Sequence, residues 1–266
     1  MGAAREEEEA REESAQAQGM NRMICLHVPH ASPFFPPGTS LDPKVHSDVR
    51  LLTDWHVDEL FRLDGMDMIR FPHSRLLVDV ERFRDDEREP MAAVGMGAVY
   101  TRGVMHPMSP RDREDLLRRY YDPHHERLNE WARKALGEQG KALVIDCHSF
   151  NARPLPFETD QDERPDVCIG SDKFHTPAPM VDQLLSLASG MGLRVGINKP
   201  YQGTMVPSEF YHLDGRVKSI MIEINKSLYM DERAIALPKL PAFDVTRKMI
   251  RTWLLALSDL FLNSNE

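Results

Sequence analysis

The chain has 266 residues, enough for one large α/β domain or two small ones, and 41% of them are hydrophobic. It carries 33 Lys and Arg residues against 42 Asp and Glu residues, a net charge of −9 without a basic cluster, which argues against nucleic acid as a partner. No apolar run approaches the roughly 20 residues of a membrane span, and the N-terminus lacks the basic and then apolar pattern of a signal peptide.

The cysteines and the N-terminal segment indicate where the protein resides and where its domain begins. Cys25, Cys147 and Cys168 are odd in number and lie in apolar contexts, which indicates reduced thiols and a cytoplasmic protein rather than a disulfide framework. Residues 1–20 are acidic, polar and without an aromatic side chain. They predict a disordered acidic tail before a single domain over residues 21–266.

The first part of that domain places two polar residues next to regular structure. Residues 23–28 predict a buried strand, and the proline-rich loop that follows holds His30 on a stiff backbone. Residues 45–63 have apolar positions at helical spacing, interrupted at Asp54. Asp54 is therefore either a helix cap or a metal ligand.

Two short strands are predicted next, at residues 66–71 and 75–80, followed by a charged turn. Arg82 comes directly after the second of these strands, so we expect it to face inward. Ser109 and Pro110 predict the start of a long helix, with a kink at Pro123 and an end at Gly137.

A buried strand with a polar end follows that helix. Residues 142–145 are apolar and run into Asp146, Cys147, His148 and Ser149, as in a strand that is buried on both faces. Open α/β sheets place their chemistry at the carboxyl ends of strands, so His148 is a candidate metal ligand. The alternative is that Asp146 and His148 only satisfy each other's hydrogen bonds.

The last part of the chain predicts three strands, at residues 166–170, 194–198 and 217–225, and two helices, at residues 179–190 and 243–262. Glu223 lies within the mostly apolar last strand. If buried, its carboxyl would have the raised pKa that a general base needs; exposure on an edge strand is the alternative. The order of elements predicts a single α/β domain with a mixed, mostly parallel sheet and helices on both faces.

Six short motifs are unspecific alone, but their order and spacing resemble the N-formylglutamate amidohydrolase family from residue 23 to about residue 230. They are residues 28–31 (Val-Pro-His-Ala), 53–56 (Thr-Asp-Trp-His), 78–82 (Val-Asp-Val-Glu-Arg), 146–149 (Asp-Cys-His-Ser), 198–203 (Asn-Lys-Pro-Tyr-Gln-Gly) and 221–225 (Met-Ile-Glu-Ile-Asn). That family resembles the zinc carboxypeptidases and aspartoacylases in fold. The resemblance therefore implies a zinc carboxypeptidase-like fold and a zinc hydrolase that cleaves an amide beside a carboxylate.

The resemblance also implies a metal site for Zn²⁺ or another divalent ion. His30 and His148 match the histidine-bearing motifs at strand ends and are the first two implied ligands. Pro33 stands where the carboxypeptidase pattern has Glu, so Asp54 is the implied carboxylate ligand. An all-histidine site that uses His27 with His30 is the alternative.

Two further residues take catalytic roles by the same resemblance. Glu223 resembles the catalytic glutamate of these hydrolases, and Arg82 has a planar guanidinium that would suit a substrate carboxylate. Glu81 replaces the Asn of the related Asp-Leu-Asn-Arg motif, a departure that bears on the substrate. Further expected substrate-binding residues are Asn198, Tyr201 and Arg153.

We therefore expect zinc-dependent hydrolysis of a small N-formyl or N-acyl amino acid such as N-formylglutamate, with no nucleic-acid or membrane partner and with homo-oligomerisation left open. One alternative is a catalytically altered carboxylate-binding protein of the same fold, and another is a zinc peptidase or amidase that acts on peptides. A cysteine hydrolase using Cys147 beside His148 is a third. Neighbours on a strand point to opposite faces, which disfavours that pair.

Overall fold

One six-stranded sheet organises the molecule. The computed structural model describes residues 23–42, 45–100, 108–155, 158 and 160–264, so the tail predicted at residues 1–20 lies outside the described residues. The strands are β1 (Ile24–Val28), β2 (Asp67–Arg70), β3 (Ala142–Phe150), β4 (Val167–Gly170), β5 (Val195–Ile197) and β6 (Val217–Asn225).

The strands lie in the order β2-β1-β3-β6-β4-β5. Neighbouring strands are parallel except β4 and β6, which are antiparallel. The two nine-residue strands, β3 and β6, pair along their whole length, from Ala142 opposite Val217 to Phe150 opposite Asn225. The mixed, mostly parallel sheet predicted from the sequence is confirmed.

Helices cover both faces of this sheet. They are α1 (Val45–Leu52), α2 (Val57–Leu60), α3 (Pro110–Leu116), α4 (Asp122–Gln139), α5 (Ala178–Gly190) and α6 (Phe243–Asn263). Helices α2, α5 and α6 share the larger hydrophobic core with one face, whereas Leu128 and Ala135 of α4 pack against the other. None of the helices in the described ranges combines the length and apolarity needed to cross a bilayer.

Alternation along β3 separates apolar from polar side chains. Leu143, Ile145 and Cys147 enter the larger core with α5 and α6. Because successive side chains of a strand point to opposite faces, Asp146 and His148 lie on the α4 side. The same strand therefore stabilises the fold with one face and supplies polar groups on the other.

The strand predicted at residues 75–80 is wrong, because the structure has turns there. The Leu77 amide donates to the Ser74 carbonyl at 2.9 Å, and Arg75 folds back onto the carboxylate of Asp79 at 2.7 Å. These local bonds replace the ladder that a strand would need. They also turn Asp79 inward, where it is fully buried.

The long helix ends later than predicted. A π-helical turn at Leu117–Tyr121 lies two residues before Pro123, where the sequence predicts a kink and where the backbone has no N–H to donate to a regular helix. The helix continues past Gly137 and ends at Gln139. Gly140 caps it with a left-handed φ of 78°, a conformation that glycine adopts at little cost.

Candidate active site

The carboxyl ends of β1 and β3 and the neighbouring part of β6 carry the candidate site. In the sheet register His27 lies opposite Asp146, and His148 lies opposite Glu223. All four side chains are buried. Because β6 lies between β3 and β4, Glu223 is in an interior strand, and the edge-strand alternative does not apply.

Two loops add His30 and Asp54 to this edge of the sheet. His30 follows β1, and Asp54 lies between α1 and α2. The backbone amide of Asp54 donates to the carbonyl of His30 at 3.0 Å, which ties the two loops together.

His30, Asp54 and His148, the three predicted metal ligands, lie together and are buried. Each offers a ligand atom within 4.8 Å of the other two. Oδ2 of Asp54 is 3.2 Å from Nδ1 of His148 and 3.8 Å from Nδ1 of His30. The two imidazole rings have centroids 5.0 Å apart. Both Nδ1 atoms face the carboxylate of Asp54.

The other ring nitrogen of each imidazole, Nε2, faces a second carboxylate. Nε2 of His30 is 2.8 Å from Oδ1 of Asp79, and Nε2 of His148 is 3.0 Å from Oδ1 of Asp146. Metal-binding histidines commonly direct their second nitrogen at a carboxylate in this way. The Asp146–His148 hydrogen bond considered in the sequence is therefore present, yet it leaves Nδ1 of His148 for Asp54.

The donor atoms of this group fit a divalent cation. Nδ1 of His30 is buried and has no hydrogen-bond partner among the described residues, which is costly unless another group binds it. Burial, followed by the positive charge of Arg75, lowers the pKa of His30 and favours the neutral imidazole that a metal requires. Two imidazoles and one carboxylate form a donor set that zinc uses in catalytic sites.

The charges around His148 also favour a bound cation. Burial alone would lower the pKa of His148, but the carboxylates of Asp146, Asp54 and Glu81 outweigh it and raise that pKa well above the usual value. A group of carboxylates that favours a positive charge here would also stabilise a bound cation.

Asp79 connects His30 to two arginines. Its Oδ2 accepts hydrogen bonds from Arg75 and from the hydroxyl of Tyr100, both at 2.7 Å, and lies 3.7 Å from Nε of Arg82. Burial would raise the pKa of Asp79, but Arg75 and His30 hold it well below its usual range. Arg82 is less tightly bound to Asp79 than Arg75 is, and its side chain is 23% exposed although its Nε is buried.

Glu223 has the environment expected of a proton-transfer group. Glu223 is 7% exposed, and its Oε2 has no hydrogen-bond partner in the part of the chain that the structure describes. Burial raises its pKa to about 8, although the neighbouring His148 opposes the shift. A carboxyl with this pKa can accept and release a proton near neutral pH.

A second cluster, formed by His27, Glu81 and Asp146, lies beside the first. Nδ1 of His27 is 2.9 Å from Asp146 and 3.1 Å from Glu81, and its Nε2 is 2.9 Å from Nε2 of His124. Burial opposes a charge on His27, but the carboxylates of Asp146 and Glu81 raise its pKa to about 9. Among the described residues His27 belongs to this cluster and His30 to the other, so they are not gathered into an all-histidine set.

The other predicted substrate-binding residues lie outside these clusters. The Tyr201 hydroxyl donates to Glu158 at 2.6 Å, and its ring is 5.8 Å from that of Phe150 at the end of β3. Asn198 is exposed and its side chain bonds the backbone of neighbouring turns. Arg153, just after β3, is also exposed. Tyr201 is the one of the three that lies against a site-bearing strand.

Cys147 cannot serve His148 as a nucleophile in this geometry. Its side chain lies in the larger hydrophobic core, on the other face of β3. Burial raises the pKa of the thiol well above its usual value, so a thiolate is disfavoured. The cysteine-hydrolase alternative therefore has no structural support.

A third group, Asp172, His175 and His212, lies away from the site and is satisfied by the protein itself. Strand β4 runs antiparallel to β6, which places Asp172 near the start of β6. His175 uses Nδ1 for the Val217 carbonyl at 2.7 Å, and its Nε2 accepts the His212 amide at 2.8 Å. Neither nitrogen is left for a metal.

Sequence reasoning did not identify Asp79 or Lys226 as part of this region. Asp79 lies within the motif that includes Arg82, three residues before it, and this position was the available signal. Lys226 is fully buried directly after β6, and a lysine that follows an apolar strand so closely was its only signal.

Two imidazoles, a carboxylate and a buried glutamate at the carboxyl edge of an α/β sheet form the arrangement used by metal-assisted hydrolases. Residues 23–230 match the profile of the N-formylglutamate amidohydrolase family, so the chain belongs to that family. No curated protein sequence matches this chain.

Crystal structures that are similar to the structure of this chain include the following two. The N-formylglutamate amidohydrolase from Ralstonia eutropha JMP134 is 19% identical, with a TM-score of 0.74 over 90% of this chain and 94% of that one. The gene product Atu2144 from Agrobacterium tumefaciens is 18% identical, with a TM-score of 0.61 over 91% and 94%. At these identities the likeness establishes the fold, and it agrees with the family assignment.

Proposed function

We propose that this chain hydrolyses the amide bond of an N-acyl amino acid with a bound divalent metal, and that N-formylglutamate is the first substrate to test. The observation that carries the proposal is the convergence of His30, Asp54 and His148 on one buried point beside Glu223. Membership of an amidohydrolase family supports the reaction class.

His30, Asp54 and His148 would hold the metal, with zinc as the first candidate. Zinc bound by such ligands lowers the pKa of its water toward about 7 and polarises a carbonyl oxygen. The carboxylates of Asp79 and Asp146 orient the two imidazoles so that each Nδ1 faces the same point.

Glu223 would take the proton from the attacking water and return it to the leaving amine. Its buried carboxyl, with a pKa of about 8, is suited to both steps near neutral pH. The neighbouring strand β3 fixes Glu223 opposite His148, so the proton acceptor has a set position relative to the ligands.

Arg82 would bind the carboxylate of the substrate. Its side chain is partly exposed, while Arg75 donates two hydrogen bonds to Asp79. Glu81 would repel an anionic substrate if it were unpaired. Its Oε1 is 3.1 Å from Nδ1 of His27, and that contact offsets its charge.

The remaining assignments belong to the same proposal. A cytoplasmic location is supported by three cysteines that are all free and buried. The domain boundary at residue 21 and the substrate roles of Asn198, Tyr201 and Arg153 stay predictions.

The experiment is metal analysis of purified protein, followed by a screen of N-formyl and N-acetyl amino acids and short peptides. We expect one zinc ion per chain, hydrolysis of N-formylglutamate, loss of activity with a chelator and recovery with added zinc. His148→Ala should lose the metal. Retention of the metal by His148→Ala would contradict the site, and a metal-loaded protein that hydrolyses none of these compounds would support the carboxylate-binding alternative.

A further inference from the structure

Lys226 is a buried lysine next to the candidate site. It is 2% exposed, and its ammonium donates to the carbonyl of Leu51 at 3.3 Å and to Oδ1 of Asn151 at 3.0 Å. Within the described part of the chain, no carboxylate oxygen lies within 4.0 Å of its Nζ. Lysines are almost never fully buried without such a partner, so this position requires an explanation.

Lys226, Asn151 and the carbonyl of Leu51 are joined by three hydrogen bonds, one between each pair. The Asn151 amide also donates from Nδ2 to the carbonyl of Leu51 at 3.0 Å, so Asn151 and Lys226 share that acceptor. We call Lys226, Asn151 and the Leu51 carbonyl the clamp. It closes a triangle between the ends of β6, β3 and α1.

Each member of the clamp lies three residues from a member of the candidate site: Asn151 follows His148, Lys226 follows Glu223, and Leu51 precedes Asp54. The clamp therefore joins the three chain segments that carry two proposed ligands and the proposed proton acceptor. Strand pairing already fixes β3 against β6, whereas the segment bearing Asp54 has no place in the sheet.

Asp54 lies between the short helices α1 and α2, and its backbone amide donates to the carbonyl of His30. The same segment is also held by the Tyr229 hydroxyl, which donates to the Trp55 carbonyl at 2.9 Å, and by Arg50, which donates to the carbonyls of Glu232, Ala234 and Ile235. The Leu51 carbonyl belongs to the last turn of α1, where carbonyls lack helical partners and attract cations. By binding this carbonyl, Lys226 and Asn151 hold the end of α1 against β3 and β6.

The charge of Lys226 acts in the same direction. Burial lowers the pKa of its ammonium, and the negative charges of Asp54, Glu232 and Glu223 oppose that shift. The attraction between Lys226 and Asp54 therefore favours the same close arrangement as the hydrogen bonds of the clamp.

We propose that Lys226 and Asn151 are positioning residues that set Asp54 against His148 and Glu223. The inference rests on the proposed function for the roles of those three residues. It assigns the clamp an effect on metal affinity and turnover rather than on substrate binding.

The test compares Lys226→Met and Asn151→Ala with wild type and with Lys141→Met as a matched control. Lys141 donates to the carbonyls of Phe261 at 2.6 Å and Leu262 at 3.1 Å, in the last turn of α6. It precedes β3, at the edge of the sheet opposite the site. The control therefore removes an ammonium that caps a helix end without touching the clamp.

Zinc affinity is measured by competition with a chromophoric chelator, and kcat and KM with N-formylglutamate. Both clamp variants should bind zinc about 10- to 100-fold more weakly, the range seen when groups that orient ligands are lost. Their kcat should fall while KM stays near the wild-type value. Lys141→Met should melt at a lower temperature and keep the wild-type affinity and kcat.

A third readout uses metal-free protein: hydrogen exchange of the Asp54 amide, which is bonded to the carbonyl of His30. Exchange should be faster in both clamp variants and unchanged in Lys141→Met. If wild type binds no zinc and hydrolyses nothing, the proposed function fails, and this exchange rate still decides the clamp.

Wild-type zinc affinity together with wild-type exchange in both clamp variants would overturn the inference. If Lys226→Met does not fold, Asn151→Ala decides, because it removes a half-buried side chain and leaves the ammonium its bond to Leu51.

Discussion

Asp146 accepts hydrogen bonds on both of its carboxylate oxygens. Oδ1 lies 2.9 Å from Nδ1 of His27 and 3.0 Å from Nε2 of His148, and Oδ2 accepts the Met205 amide at 2.8 Å. When His148 is neutral, a proton on Nε2 faces this carboxylate and leaves the lone pair of Nδ1 for a metal. We therefore expect Asp146 to favour this tautomer of His148.

Removing only the charge of Asp146 tests that role. Asp146→Asn keeps the shape of the side chain, but its neutral oxygen is a weaker acceptor, so we expect zinc affinity to fall about 10- to 100-fold. Competition titration measures the change. Asp214→Asn is the control, because Asp214 pairs with Arg216 at the surface, at 2.6 Å. Equal affinities in the two variants would contradict the role.

Glu223 is tested by a substitution that keeps its volume. Glu223→Gln should bind zinc as wild type does, because Glu223 is not among the grouped ligands. Turnover should fall roughly 10²- to 10⁴-fold, the contribution of a positioned acid–base group. Steady-state rates on metal-loaded protein measure this fall. A metal-loaded variant with wild-type turnover would remove Glu223 from the mechanism.

At the level of elements, the sequence predicted the strands whose apolar runs end in polar residues. The strand at residues 217–225 has the predicted bounds, and residues 142–150 form β3. The pattern failed at residues 75–80, where Leu76, Leu77, Val78 and Val80 are buried as strand residues would be. Burial sets that pattern of apolar residues, and turns can bury them as well as a strand can.

In the candidate site, too, some residues were predicted from the sequence and others were not. His30 and Asp54 lie beside predicted elements, and the family resemblance, rather than the positions of those elements, implied that both are ligands. Lys226 and Asn151 are 75 residues apart, and their hydrogen bond depends on how β3, β6 and α1 meet. Local sequence patterns contain no information on such a contact, which explains why the clamp was not predicted.

Strand β5 offers a test of how closely its end is packed. A Cβ on Gly196 would lie 2.0 Å from the backbone carbonyl oxygen of Lys199, which cannot move without moving the following turn. Gly196→Ala should therefore destabilise the protein by about 1–3 kcal/mol. Gly190→Ala in α5 is the control, because its Cβ would meet nothing within 4 Å and alanine favours a helix.

Urea unfolding of the two variants measures the difference. The midpoint of Gly196→Ala should fall, and that of Gly190→Ala should stay equal to wild type or rise. Equal midpoints in both variants would show that the turn after β5 can shift freely.

For the whole molecule, the candidate site concentrates negative charge inside a chain that is already acidic, with a net charge of −9. Five carboxylates lie in or beside the two clusters: Asp54, Asp79, Glu81, Asp146 and Glu223. The side-chain cations near them include Arg75, Arg82 and Lys226, and the carboxylates raise the pKa of His27 and His148. Because His30, Asp54 and His148 come from distant parts of the chain and meet only in the folded state, folding and metal binding should be linked.

This linkage predicts a change in thermal stability. A ligand that binds only the folded state at about 100 times its Kd adds about 2.7 kcal/mol, which raises the melting temperature of a chain of this size by roughly 5–10 °C. Circular dichroism melts with a chelator and with added zinc measure the shift. Lys141→Met should show the same shift from a lower starting temperature, because its site is intact. His148→Ala should show none, and an equal shift in that variant would mean that zinc stabilises the protein from another site.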